Sequence, residues 1–137
     1  MAYTLRQSAR TAMAAGIVSD AGSACRWKFY NGTKPANLGA VTSQTLLATL
    51  THASTLGTAS AGAISIDVAG QSNTAGSNVN GTPTWARLET SGGVAVMDAD
   101  CRLPADAADS TKITVSAAVV AGTAFTMAAS TLTMPNA

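Results

Sequence analysis

The sequence predicts an all-β fold, an antiparallel β-sandwich or jelly-roll-like domain with a short N-terminal α-helix. Three observations lead there. Apolar and polar residues alternate over short runs, which is the period of a half-buried strand. Gly, Asn, Ser and Pro punctuate those runs at intervals of roughly 10–15 residues, as in sandwiches and jelly rolls. Helical spacing occurs once, at the amino end, and no strand–helix–strand alternation follows, which argues against a doubly wound parallel sheet. The 137 residues suit a single domain with a real core, divided into a helical arm (1–22) and a sandwich (24–137).

Residues 4–18 have helical spacing. Leu5, Ala9, Ala12, Met13 and Ile17 share one side, and Arg6 and Arg10 sit together at i,i+4 on another. Thr4 is placed to cap the start and Gly22 to punctuate the end. From residue 24 the period is two: Cys25, Trp27 and Phe29 alternate with Arg26, Lys28 and Tyr30. Asn31-Gly32 then turns the chain, and Lys34-Pro35 holds it extended and away from helix. A loop of small residues reaches Ser43. The second strand, 45–51, sets Leu46, Ala48 and Leu50 against Thr45, Leu47 and Thr49. The third, 63–68, sets Ile64, Ile66 and Val68 against Ser65 and Asp67. GQSNTAGSNVNGTP, residues 70–83, is a loop by composition. A strand at 84–89 meets TSGG, a hairpin turn into a strand at 94–97. A second polar loop covers 98–110. Strands at 112–119 and 124–134, joined by Ala121-Gly122-Thr123, end the series.

The net charge is +1 and only 11% of residues are charged. Nothing in that balance draws the chain to nucleic acid or an anionic membrane, and no apolar run reaches the length of a spanning helix. Hydrophobic residues make up 47%, but aromatics only 4%, and Ala and Thr together fill roughly a third of the positions. Small side chains bury little area each, so additional burial against a partner or against other copies is expected. Arg6 and Arg10 ahead of TAMAAGIV imitate a signal peptide poorly, because the run lacks leucine and contains Gly16. Synthesis in a cytoplasm is the expectation; Cys25 and Cys101 are enough for one disulfide, but nothing argues for export, and whether they pair stays open.

Candidate chemistry is sparse. His52 is the one histidine, flanked by Thr51, Ala53 and Ser54, and reads as a surface residue at a strand end. Asp98 and Asp100 flank Ala99 and share a face at strand spacing; paired carboxylates can serve acid–base work or calcium, but here they read as a solvated strand end. No Gly-x-Ser-x-Gly elbow, P-loop or dinucleotide fingerprint is present. Asn31-Gly32-Thr33 and Asn80-Gly81-Thr82 fit the glycosylation triplet but read as turns. Arg6, Arg10, Arg26 and Lys28 form at most a modest basic patch. Trp27 and Trp85 each adjoin basic residues; they read as core, or as anchors of a subunit contact together with Arg87. No catalytic, metal or cofactor residue is expected, and no small-molecule substrate.

The order of RQSARTAMAAGIV, RWKFYNGTKPANLGAVTSQTLLATLT, GTPTWARLETSGGVAVMDADC and ITVSAAVVAGTAFTMAASTLTMPNA resembles a group of small structural proteins of tailed bacteriophages. The resemblance covers nearly the whole chain, and no single motif in it is specific. Cys25 departs from the group's pattern, as does RWKFY, where an aliphatic run is usual. The resemblance implies a virion component with an all-β fold. The expected station is the capsid surface, as a decoration or cement protein on the major capsid protein, in a dimeric or trimeric homo-oligomer. The alternative station is the neck or tail, and a carbohydrate-binding sandwich with exposed tryptophans is a different class. Candidate contact residues are Leu5, Arg6, Arg10, Met13, Trp27, Asn31, Lys34, Pro35, Trp85 and Arg87, with the 31–43 loop and the helix expected to meet neighbours.

Overall fold

A computed structural model describes residues 4–135. Among them lie one helix, α1 (Gln7–Ala21), and nine strands. In chain order the strands are β1 (Arg26–Tyr30), β2 (Leu46–Thr51), β3 (Gly57–Ser60), β4 (Ala63–Ile66), β5 (Ser72–Asn73), β6 (Trp85–Glu89), β7 (Ala95–Arg102), β8 (Ile113–Thr114) and β9 (Thr131–Thr133). They form a six-stranded sheet ordered β5-β2-β1-β6-β7-β8 and a three-stranded sheet ordered β3-β4-β9. Every pairing is antiparallel except β7 with β8. The expected all-β domain with a short N-terminal helix is what the chain forms.

The core begins at β1. Trp27 and Phe29 lie opposite Leu50 and Ala48 of β2 and opposite Leu88 and Ala86 of β6. All six are buried. Phe125 meets Phe29 edge-on at 5.0 Å, so the C-terminal stretch closes over the inner face with Ile113, Val115, Val119 and Met127. Cys25 is buried just ahead of Trp27, in the small-hydrophobe role expected of it.

Several elements depart from the expected pattern for identifiable reasons. In β2 the sequence puts Leu46 on one face with Ala48 and Leu50, yet Leu46 is exposed while Leu47 and Ala48 are both buried. A bulge between Phe29 and Tyr30 pairs Tyr30 with Leu46 and leaves Leu47 as the extra residue. Leu47 then packs beneath Gly81, where an added Cβ would sit 2.9 Å from its side chain. β3 and β5 lie in segments of small polar residues with no apolar alternation. β5 is held instead by Asn73, whose amide donates to Thr49 O (3.0 Å) and exchanges hydrogen bonds with Asn78. β7 runs on through Asp98–Arg102, where a loop was expected. The expected long strands at 112–119 and 124–134 pair only as β8 and β9 plus isolated bridges at Val115–Met127 and Gly81–Val119.

The helix is displaced three residues towards the C-terminus from the expected 4–18. Arg6, not Thr4, stands at its N-cap, with no side-chain cap. Gly22 ends it as expected, at φ +70°, donating its N–H to Val18 O. The face turned to the protein carries Arg10, Ala14, Ile17, Val18 and Ala21, while Ala12 and Met13 are exposed. Fully buried Ala14 and Ala21 let the helix lie closely on β3 and β4. The 1–22 arm is therefore packed onto the body along its helical length.

Candidate functional site

The large sheet has a second face. Because side chains alternate, Arg26, Lys28 and Tyr30 of β1 share it with Glu89, Arg87 and Trp85 of β6, their register partners. Asp98 and Asp100 of β7 lie next to Arg87 and Trp85 on the same face. The ladder thus assembles charges that are scattered in the sequence.

Arg87 is its centre. Its Nε donates to Asp98 Oδ1 (2.7 Å) and its Nη2 donates to Asp98 Oδ2 (2.8 Å) and to Gly39 O (2.9 Å). Both side chains of the pair are only 7% exposed. The hydrogen-bonded Asp98 carboxylate holds the guanidinium pKa above its ordinary value. The guanidinium also lies 5.6 Å from the Trp85 ring centre, and Tyr30 stacks on that ring at 4.5 Å. Burial raises the Tyr30 phenol pKa, and Glu89 adds to the effect. Arg26 and Lys28 converge on Glu89 at 3.4 and 3.1 Å.

The 31–45 connection crosses this face and explains why all five residues of β6 are buried. It is tied at several points. Asn31 Oδ1 accepts from Thr45 N at 3.3 Å, and Gln44 Nε2 donates to Thr33 O. Thr84 donates its hydroxyl to Gly32 O, and Lys34 Nζ pairs with Asp100 Oδ1 at 2.7 Å. At its crest Asn37 and Leu38 both adopt positive φ, 53° and 55°. Two successive left-handed non-glycine residues cost roughly 1–2 kcal/mol each, and here they leave Leu38 41% exposed.

Between this crest, β7 and α1 lie two adjoining hollows of about 460 and 450 Å³ that share Lys34, Met97 and Asp98. Pro35, Leu38 and Val96 line the first; Met13, Ile17 and Met134 line the second. They make one trough along the edge of β7. Of the expected contact residues, the structure brings Met13, Lys34 and Pro35 together here, with Asn31 at the base of the same connection and Arg87 clamping it from below.

The others lie elsewhere. Arg6 is exposed and Leu5 half-buried at the start of the helix. Arg10 is folded against Gly62, where a Cβ would lie 3.2 Å from its guanidinium, so it packs within the chain. Trp27 and Trp85 are 0% and 1% exposed. As contact anchors both are corrected: Trp27 fills the core and Trp85 is buried on the second face between Tyr30 and Arg87, and neither indole N–H finds an acceptor among the described residues. The exposed tryptophans that a sugar-binding sandwich would want are therefore not there. Met97, Leu132 and Met134, which also line the trough, went unrecognised in the sequence. The TSGG hairpin signals that the two strands pair, but counting outward from it sets Arg87 against Val96; the irregularity between Leu88 and Glu89 moves Asp98 opposite Arg87.

The remaining candidates for chemistry are committed to structure. His52, expected at the surface, is 3% exposed because the 67–71 segment covers it. Its Nε2 faces Gln71 Nε2 at 3.3 Å, and burial lowers its pKa, against an opposing pull from Asp67. Of the two carboxylates expected to be solvated, Asp100 is exposed while pairing with Lys34, whereas Asp98 is buried against Arg87. Both cysteines are free thiols, and burial pushes Cys101 up to about 12. Among the described residues no group of three His, Cys, Asp or Glu side chains is placed to hold a metal ion, and no helix is long and apolar enough to cross a membrane. Comparison with protein-family models, curated proteins and solved structures gives no match.

Proposed function

We propose that this chain is a structural protein of a tailed-bacteriophage virion, bound to the outside of the capsid shell as a decoration or cement protein. It makes and breaks no covalent bond and takes no cofactor. Its partners are the major capsid protein and other copies of itself in a dimer or trimer; nucleic acid, membrane and small molecules are not among them. The sequence resemblance supplies the virion setting. The observation that carries the contact role is the trough beside β7, where exposed apolar groups (Met13, Leu38) border an ion-paired, net-neutral floor. Desolvating apolar area over paired charges favours protein contact without leaving a bare ion. The neck or tail is the runner-up station, since the same trough would serve a connector.

The test is occupancy. Particles assembled with a Met13→Glu, Leu38→Glu variant should lose the protein at least about 10-fold, while the free variant keeps its melting temperature, because both side chains already meet solvent. Full occupancy of the variant would remove the trough from the reading. Absence of the wild-type chain from purified particles would remove the reading itself.

A further inference from the structure

The edge of β7 is incomplete. Cys101 N donates to Thr84 O at 2.9 Å, so in this antiparallel ladder Cys101 and Ala99 turn their main chain towards β6. Asp98 and Asp100 turn theirs the other way. Arg102 obeys the same parity: its O accepts from Val115 N at 3.0 Å on the side where β8 lies. But β8 pairs only with Cys101 and Arg102. The bridge of Cys101 with Ile113 gives Asp100 O to Ile113 N, so on this side the main-chain N–H and C=O of Asp98 and the N–H of Asp100 lie beyond the residues that β8 pairs. Such a row of unused donors and acceptors is a template for another strand.

That open edge lies on the floor of the trough. We infer that the β7 edge takes up an extended, uncharged segment of the major capsid protein as an added strand, a step that rests on the function proposed above. Three features select this occupant. The floor asks for main-chain donors and acceptors at strand spacing, which an extended segment supplies and a helix does not. The charges at the floor are already matched, Asp98 by Arg87 and Asp100 by Lys34, so a neutral segment avoids competing with either pair. The walls, α1 with Met13 and Ile17 on one side and the 34–38 crest on the other, border hollows of about 460 and 450 Å³, a space for a short segment and not for a folded domain. Apolar residues at every second position of the segment would meet Met97 and Met134 on the inner side of the trough.

Hydrogen exchange at single-amide resolution tests this, with purified shells lacking the protein as the probe. In free protein the Asp98 and Asp100 amides should exchange at near-unprotected rates, whereas Ala99, bonded into the β6 ladder, is slow. On shells both should slow by at least about 10-fold, in step with occupancy. Binding to shells with both amides still fast would overturn the added strand and leave the decoration role standing. Protection in free protein that grows with concentration would put a second copy on the edge and overturn the assignment. Failure to bind shells at all would overturn the decoration role and the added strand with it.

Discussion

Removing the Asp98 carboxylate should be among the most damaging single changes on the outer face. Asp98→Ala leaves the Arg87 guanidinium 7% exposed beneath the 31–45 connection with only Gly39 O still accepting from it. Two charge-assisted bonds of 2.7 and 2.8 Å disappear, and the cation left behind is not rehydrated. Breaking one side of a buried pair costs about 3–5 kcal/mol, against a total stability on the order of 5–15 kcal/mol. At roughly 3 °C per kcal/mol for a chain of this size, the melting point should fall by about 9–15 °C. Urea unfolding followed by tryptophan fluorescence reads the loss, since both indoles are buried. The paired change Arg87→Met, Asp98→Leu should recover most of it, because no lone charge then remains. A loss below about 1 kcal/mol for Asp98→Ala, the range of an exposed pair, would refute the claim that this pair is desolvated and clamps the connection.

Further outcomes follow from other parts of the fold. Gly57→Ala should cost more than about 1 kcal/mol in the same urea assay, since Gly57 has φ +156° and a Cβ there would overlap Ser65 O. His52 is held neutral by burial, so the unfolded chain takes up a proton that the native chain resists. Stability should therefore be flat above about pH 7 and fall as the pH drops below the unfolded value near 6.5; comparing pH 7.5 with pH 5.5 should show the drop in wild type and a smaller one in His52→Gln. Cys101, with its thiol pushed up to about 12, should resist iodoacetamide at pH 8 in the folded state and react on unfolding. Reductant should leave the melting point unchanged, because neither thiol is bonded.

The strands legible in the sequence were those whose side chains meet different surroundings on their two faces. Cys25, Trp27 and Phe29 announce β1 because the residues between them remain half-exposed or polar. β6 was found at its correct place, although its alternation does not report burial: the 31–45 connection covers the outer face, a long-range event that no local period records. β3 and β5 were invisible because Gly57, Thr58, Ala59, Ser72 and Asn73 have no apolar period, and pairing partners from elsewhere in the chain make them strands. The helix was recognised but misaligned, since Met13 carries more hydrophobicity than Ala14, whereas close packing selects the smaller residue for the contact. For the trough, the sequence singles out Lys34, Pro35 and Met13 one at a time. Their convergence needs the β7 edge, whose latter half reads as polar loop until Arg87 is paired with Asp98.

The proposed role, sealing contacts on the outside of a virion head, has a specific structural consequence. Imaging intact particles, with the chain's fold located in the density, tests it most directly. The domain should lie on the outer shell surface with its β7 trough turned towards the major capsid protein. Density for the chain inside the shell, or none on the particle at all, would contradict it.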